Sequence, residues 1–187
     1  MRRARFSFAQ SILLLFILAF PDAGHAGMRF LTMLELAEQS DVVMVGKVAD
    51  VGKDAASIEV DEVLSGKLEA KSVTVSPIHL QHCTGKSVNF HAGEEALLFG
   101  KRDGERRVNL TADGHGKIAL TEQNREVQIA AAKRILEIAP LAEDEKYRAM
   151  LAEVRSSNER LRSESRHCII SRISHSELRN LYKDDLV

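Results

Sequence analysis

Phe90-His-Ala-Gly-Glu-Glu-Ala-Leu-Leu-Phe-Gly-Lys-Arg-Asp-Gly-Glu-Arg-Arg-Val-Asn-Leu-Thr111 is the stretch whose reading decides the fold. It reads as a β-hairpin. Ala96 to Phe99 form a short continuous apolar run, Asp103-Gly104 supplies residues suited to positive φ at the turn, and Val108 and Leu110 alternate with Arg107, Asn109 and Thr111 on the return. Strand patterns precede this hairpin and helical patterns follow it, so the chain divides around it.

Working toward the N-terminus, Val73 and Val75 mark a strand closed by Pro77. Before it, Ser57-Ile-Glu-Val-Asp61 alternates Ile58 and Val60 inward against Glu59 and Asp61 outward, ending near Ser65-Gly66. Asp41 to Val51 is a longer strand, apolar on both faces near its start, with Gly46 placed where a bulge or strong bend is expected. Phe30 to Gln39 is an amphipathic helix turning Leu31, Met33, Leu34 and Ala37 inward. On the other side of the hairpin, Ile118 and Leu120 provide a sixth strand after Asp113-Gly-His-Gly116. Short strands with regular turn signals and a bent first strand predict an α+β chain: a small OB-like antiparallel β-barrel with an N-terminal helix, followed by a C-terminal helical segment.

The expected division is residues 1–26 as a signal peptide, 27–121 as the barrel domain and 122–187 as a helical extension. Arg2, Arg3 and Arg5, the apolar run Ile12 to Phe20, Pro21 and Gly24-His25-Ala26 make the three parts of an export signal, with cleavage expected after Ala26. The apolar run is well short of the ~20 residues that cross a bilayer, so no stable membrane insertion is expected once the leader is gone. A periplasmic or secreted location follows. Three of the 26 basic residues and one of the 27 acidic residues fall in this leader, taking the net charge from -1 to -3. Such a balance, with no Trp and 5% aromatic residues, gives no basis for nucleic-acid binding.

Asp41-Val-Val-Met-Val-Gly-Lys-Val48, Ile58-Glu-Val-Asp-Glu-Val-Leu-Ser-Gly66 and Phe90-x-x-Gly93-Glu94, followed by an apolar strand and an Asp-Gly turn, resemble the OB-fold domain of bacterial exported proteins related to tissue inhibitors of metalloproteinases and netrin modules. The resemblance spans Leu31 to Leu120. It implies a barrel and an exported location. Such domains carry a cysteine shortly before the Phe-x-x-Gly-Glu segment, where Cys83 lies, but Val108 to Ala112 lacks the usual partner. Inhibition in that family uses a cysteine at the mature N-terminus; here that position is Gly27, so the activity is not carried over.

After Thr121 the pattern is helical. Val127, Ala131, Ile135 and Ile138 mark one apolar face ended by Pro140, and Tyr147, Met150, Leu151 and Val154 mark another. Ser156-x-x-Glu159 and Ser174-x-x-Glu177 read as capping boxes, with Leu161, Cys168 and Ile169 between them and Leu178, Leu181 and Tyr182 after them. The succession resembles degenerate HEAT-like pairs. Its Arg- and Glu-rich faces read as solvated surface.

Three constellations bear on function. His79, His82, Cys83 and His91 are imidazole and thiol groups suited to zinc or copper, in a spacing that matches no standard zinc site. The alternative is a polar loop with scattered histidines. Cys83 and Cys168 are the only cysteines, and export would let them pair across the barrel and the helices; a buried structural thiol at Cys168 is the other reading. Lys101, Arg102, Arg106 and Arg107 flank the hairpin turn, either as a patch for an anionic partner or as charges guarding exposed strand edges. No nucleophile elbow and no His-Glu-x-x-His helix occurs. The expectation is therefore a non-enzymatic interaction module with a cell-envelope protein partner and no cofactor, with metal handling as the alternative.

Overall fold

The computed structural model describes residues 31–76 and 89–172. Helix α1 (Met33–Gln39) leads into β1 (Val42–Val51), β2 (Ala56–Ser65), β3 (Ser72–Ser76), β4 (Glu95–Arg102) and β5 (Arg107–Leu110). A 3-10 turn (Thr111–Gly114), β6 (Lys117–Leu120) and helices α2 (Arg125–Ile138), α3 (Glu143–Glu153) and α4 (Glu159–Arg172) complete it. The chain is α+β, as its patterning predicts: a closed five-stranded OB-like barrel, one short helix before it and three after it.

The ring runs β1-β2-β3-β5-β4 and returns to β1, with β6 lying beyond β5 along the same edge of β4. The pairings are antiparallel except where β3 meets β5, which run parallel through Thr74–Arg107, Val75–Val108 and Ser76–Asn109. At the hairpin turn Gly104 alone has positive φ, at 88°; the turn is wider than an Asp-Gly pair and is closed by Asp103 N–H donating to the Arg107 carbonyl at 2.9 Å.

Strand β1 is apolar on both faces because it separates two cores. Val42, Met44 and Val48 point into the barrel with Ile58, Val73, Val75, Leu98 and Val108, while Val43 and Val45 point outward beneath the helices. β4 divides the same way: Ala96 and Leu98 go inward, Leu97 and Phe99 outward against a layer containing Met33, Leu34, Ile135, Ile138 and Met150. Each such fully buried side chain is worth about 1.5–3 kcal/mol, so the outward half of these strands contributes as much as the inward half. The bend needed for closure falls where expected. The β1–β2 register slips between Val45 and Gly46, and a Cβ on Gly46 would lie 2.5 Å from the Glu59 carbonyl oxygen.

Polar ties join the helices to one another and to the barrel. Lys146 Nζ reaches Glu38 Oε1 at 2.6 Å and Glu143 Oε1 at 2.9 Å, and the Met33 amide donates to Glu164 Oε2 at 2.8 Å. Arg125 pairs with Glu95 and Lys133 with Glu62, each at 2.8 Å.

Several local expectations are corrected. Helix α1 starts at Met33 rather than Phe30, because Thr32 and Glu35 form a capping box that fixes its first turn. On α2, Val127 is 38% exposed and Ile129 is buried instead, since the packed face turns toward α1 and α4. Ser156 does not cap α4; Asn158 Oδ1 does so by accepting from the Leu161 amide at 3.0 Å, and Ser156 Oγ accepts from the Asn158 amide. The expected box at Ser174 lies outside the described residues.

Candidate functional site

Strand direction sorts the connections into two ends of the barrel. The first contains the start of β1, the β2–β3 connection and the β4–β5 hairpin turn. The second contains the β1–β2 turn, the return into β4 near Phe90, and the end of β5.

The second end is filled. Phe90 is buried in the barrel core, and the Lys117 ammonium lies 4.5 Å from its ring centroid while pairing with Glu94 and donating to the Asn89 carbonyl. The turns there bond to themselves and to β1: Gly52 N–H to the Ala55 carbonyl at 2.9 Å, Gly93 N–H to Val48 at 2.7 Å and Val48 N–H to Glu94 at 2.8 Å.

The first end keeps an open cleft of about 480 Å³ between Lys67–Ala70 on one wall and Arg102, Gly104, Glu105 and Arg106 on the other. Burial alternates along the first wall. Lys67 and Glu69 are exposed, whereas Leu68 and Ala70 are half-buried and pack onto the barrel core. The opposite wall follows from the pleat of β4. Arg102 continues the inward row of Ala96, Leu98 and Gly100, so it emerges at the barrel mouth, where Arg102 Nη1 donates to the Lys67 carbonyl at 3.1 Å. Its amide donates to Asp41 Oδ1 at 2.7 Å, fixing the strand end against β1.

The same pleat splits the four basic residues that the sequence groups together. Arg102 and Arg106 line the cleft, while Lys101 follows Leu97 and Phe99 onto the outer face and Arg107 pairs with Asp103 at 3.7 Å. Closure of the barrel also removes the edge-guarding reading of these charges, since β4 lies between β1 and β5, and β5 between β3 and β4. Lys67 and Glu69 were missed by sequence reasoning. Their signal was the period-two pattern Lys-Leu-Glu-Ala, hidden beside the turn at Gly66.

Apart from Arg102, the cleft's charges are uncommitted. Among the described residues, the side chains of Lys67, Glu69, Glu105 and Arg106 make neither ion pair nor hydrogen bond. A groove carrying cations and carboxylates on both sides can match a partner of mixed or acidic charge in a fixed orientation. A second depression, about 410 Å³ beside β2 and α2, is already bridged by the Lys133–Glu62 pair.

Of the metal-ligand candidates, His79, His82 and Cys83 lie outside the described residues, and His91 is exposed at the filled end of the barrel. Among the described residues no three His, Cys, Asp or Glu side chains converge as ligands would. Cys168 is buried in the helical core, on the apolar side of α4, and its proposed partner Cys83 is outside the described residues. No described helix is long and apolar enough to cross a membrane.

Among the described residues, the only ionisable groups pushed clearly from their ordinary values are structural. Lys146 is raised, chiefly by its hydrogen bond to Glu38, and Arg134 by its hydrogen bonds to Glu137 and Glu153. Neither touches the cleft. The chain matches no protein-family model, and no curated protein aligns to it with significance.

Proposed function

We propose that this protein is an exported, non-enzymatic interaction module that engages a cell-envelope protein through the open end of its barrel. The observation that carries the reading is the cleft between Lys67–Ala70 and Arg102–Arg106, whose charges, Arg102 aside, are exposed and uncommitted among the described residues. The export signal at residues 1–26 supports the compartment. The filled barrel interior supports a surface contact over an enclosed small-molecule site.

The test is site-directed photo-crosslinking of the mature protein in cells. A crosslinker at Glu69 should give a discrete adduct that weakens with salt and is lost in Arg106→Glu, whose guanidinium holds nothing in the fold. A crosslinker at Ala49, exposed on β1 away from the cleft, should not. Equal adducts from both positions, or none from Glu69, would reject the proposal.

A further inference from the structure

The two walls of the cleft share a second property. Among the described residues no hydrogen bond engages the backbone N–H or C=O groups of Leu68, Glu69 and Ala70, nor those of Gly104 and Glu105 across from them. Three flanking carbonyls are engaged. The Lys67 carbonyl accepts from Arg102, the Lys71 carbonyl from the Val60 amide at 2.9 Å and the Arg106 carbonyl from the Thr74 amide at 2.7 Å. Turns at the other end of the barrel are bonded internally, as described above. Among the described residues, unpaired backbone groups therefore lie on both walls of one cleft.

The Lys67–Ala70 wall alternates exposed and half-buried residues as a strand does, yet it belongs to no ladder. Its inward side chains fasten it to the core, so its polar backbone edge is presented at a fixed position. An incoming extended chain could bond to such an edge without the barrel opening. Charge then selects the side chains. Arg102 and Arg106 face Lys67 across the cleft, three cations against Glu69 and Glu105, a surplus that suits alternate acidic side chains. The two carboxylates also weigh against a uniform polyanion, which would meet them at close range.

Resting on the interaction-module reading, we infer that the ligand of this cleft is an extended acidic peptide segment of a partner protein, added as a short strand against Leu68–Ala70 with its carboxylates on Lys67, Arg102 and Arg106.

The mature protein, labelled with ¹⁵N, is titrated with a hexapeptide alternating aspartate and valine, followed by amide shifts and by fluorescence anisotropy of the tagged peptide. Saturable shifts centred on Leu68–Ala70 and Gly104–Arg106 are expected. Arg106→Gln should weaken binding by about tenfold, the equivalent of one hydrogen bond to a charged group. N-methylation of alternate peptide amides, which keeps every charge, should weaken it at least as much. Equal binding of the N-methylated peptide, equal binding of a lysine–valine hexapeptide, or tighter binding of inorganic polyphosphate would each overturn the inference. Absence of peptide binding, in a protein that still crosslinks through Glu69, would overturn the peptide assignment and leave the interaction module standing. Loss of the crosslink would remove both.

Discussion

Replacing Lys146 tests whether α3 is held against α1 by its buried ion cluster. Lys146 is 6% exposed and bonds to Glu38 of α1 and Glu143 of its own helix, two elements that the chain separates by the whole barrel. Removing one partner of a fully buried pair costs about 3–5 kcal/mol, because the other charge stays buried. Here the carboxylates retain water: the Glu38 side chain is 27% exposed and that of Glu143 74%. The expected loss for Lys146→Ala is therefore smaller, about 1–2 kcal/mol including the packing of the aliphatic stem. Lys146→Met keeps most of that stem and should lose about 1 kcal/mol. Urea unfolding at pH 7 reads this as a lower midpoint with unchanged slope. A cycle with Glu38→Gln isolates the pair and should give a coupling of about 0.5–1.5 kcal/mol. The pH dependence has a definite sign. The folded-state value of Lys146 lies above 10.5, so its contribution is complete below the unfolded-state value and is lost as pH rises through the folded one. The gap between wild type and Lys146→Met should be constant near neutrality and narrow only above about pH 10.5. No change in midpoint for Lys146→Ala, or a coupling of zero with Glu38, would refute the reasoning.

Gly46→Ala should lower the unfolding midpoint by the equivalent of about 1–3 kcal/mol, because the added Cβ would lie 2.5 Å from the Glu59 carbonyl oxygen and 2.7 Å from Ile58 Cγ2. A variant as stable as wild type would show that β2 moves away without strain. The metal reading of His79, His82, Cys83 and His91 is checked by elemental analysis of untagged mature protein after zinc or copper loading and desalting. Less than a tenth of an equivalent, on the order of background for weak surface histidines, is expected; a full equivalent that is lost in His91→Ala would establish the site instead.

The barrel was legible because its signals are local. The alternation at Ile58–Asp61, the paired valines of β3 and the hairpin around Gly104 each declare a strand, and Gly46 declares the bend. Apolar residues on both faces of Val42–Val45 also announced a covered strand, but not what covers it. That depends on which helix face docks, and for α2 the choice of Ile129 over Val127 is made by tertiary contact with α1 and α4. Thr32 and Glu35 carried a capping box that lies inside a longer apolar run and was passed over. The candidate site was half legible. Arg102 and Arg106 stood out as charge, but their separation from Lys101 and Arg107 needs the pleat of β4, and the opposing Lys67 lies 35 residues from Arg102.

The division of β1 and β4 between two cores also limits where this protein can offer a surface. Their outward faces are covered by α1 to α4, the barrel interior is filled, and Phe90 with Lys117 occupies one end. The outer faces of β2, β3 and β5 remain, lined by Glu59, Asp61, Ser72, Thr74, Arg107 and Asn109, together with the open end. Among the described residues, the open end sets unpaired backbone and uncommitted charge on both sides of a concavity. The cleft and the helical layer share no ion pair among the described residues, so the two can be perturbed separately. Lys146→Met should lower stability while leaving acidic-peptide affinity within about twofold, because sites without shared partners are nearly additive. Arg106→Gln should do the reverse. If Lys146→Met weakened peptide binding as strongly as Arg106→Gln at a temperature where both are folded, the cleft would have to depend on how the helices seat, and the barrel mouth could not be treated as a site in its own right.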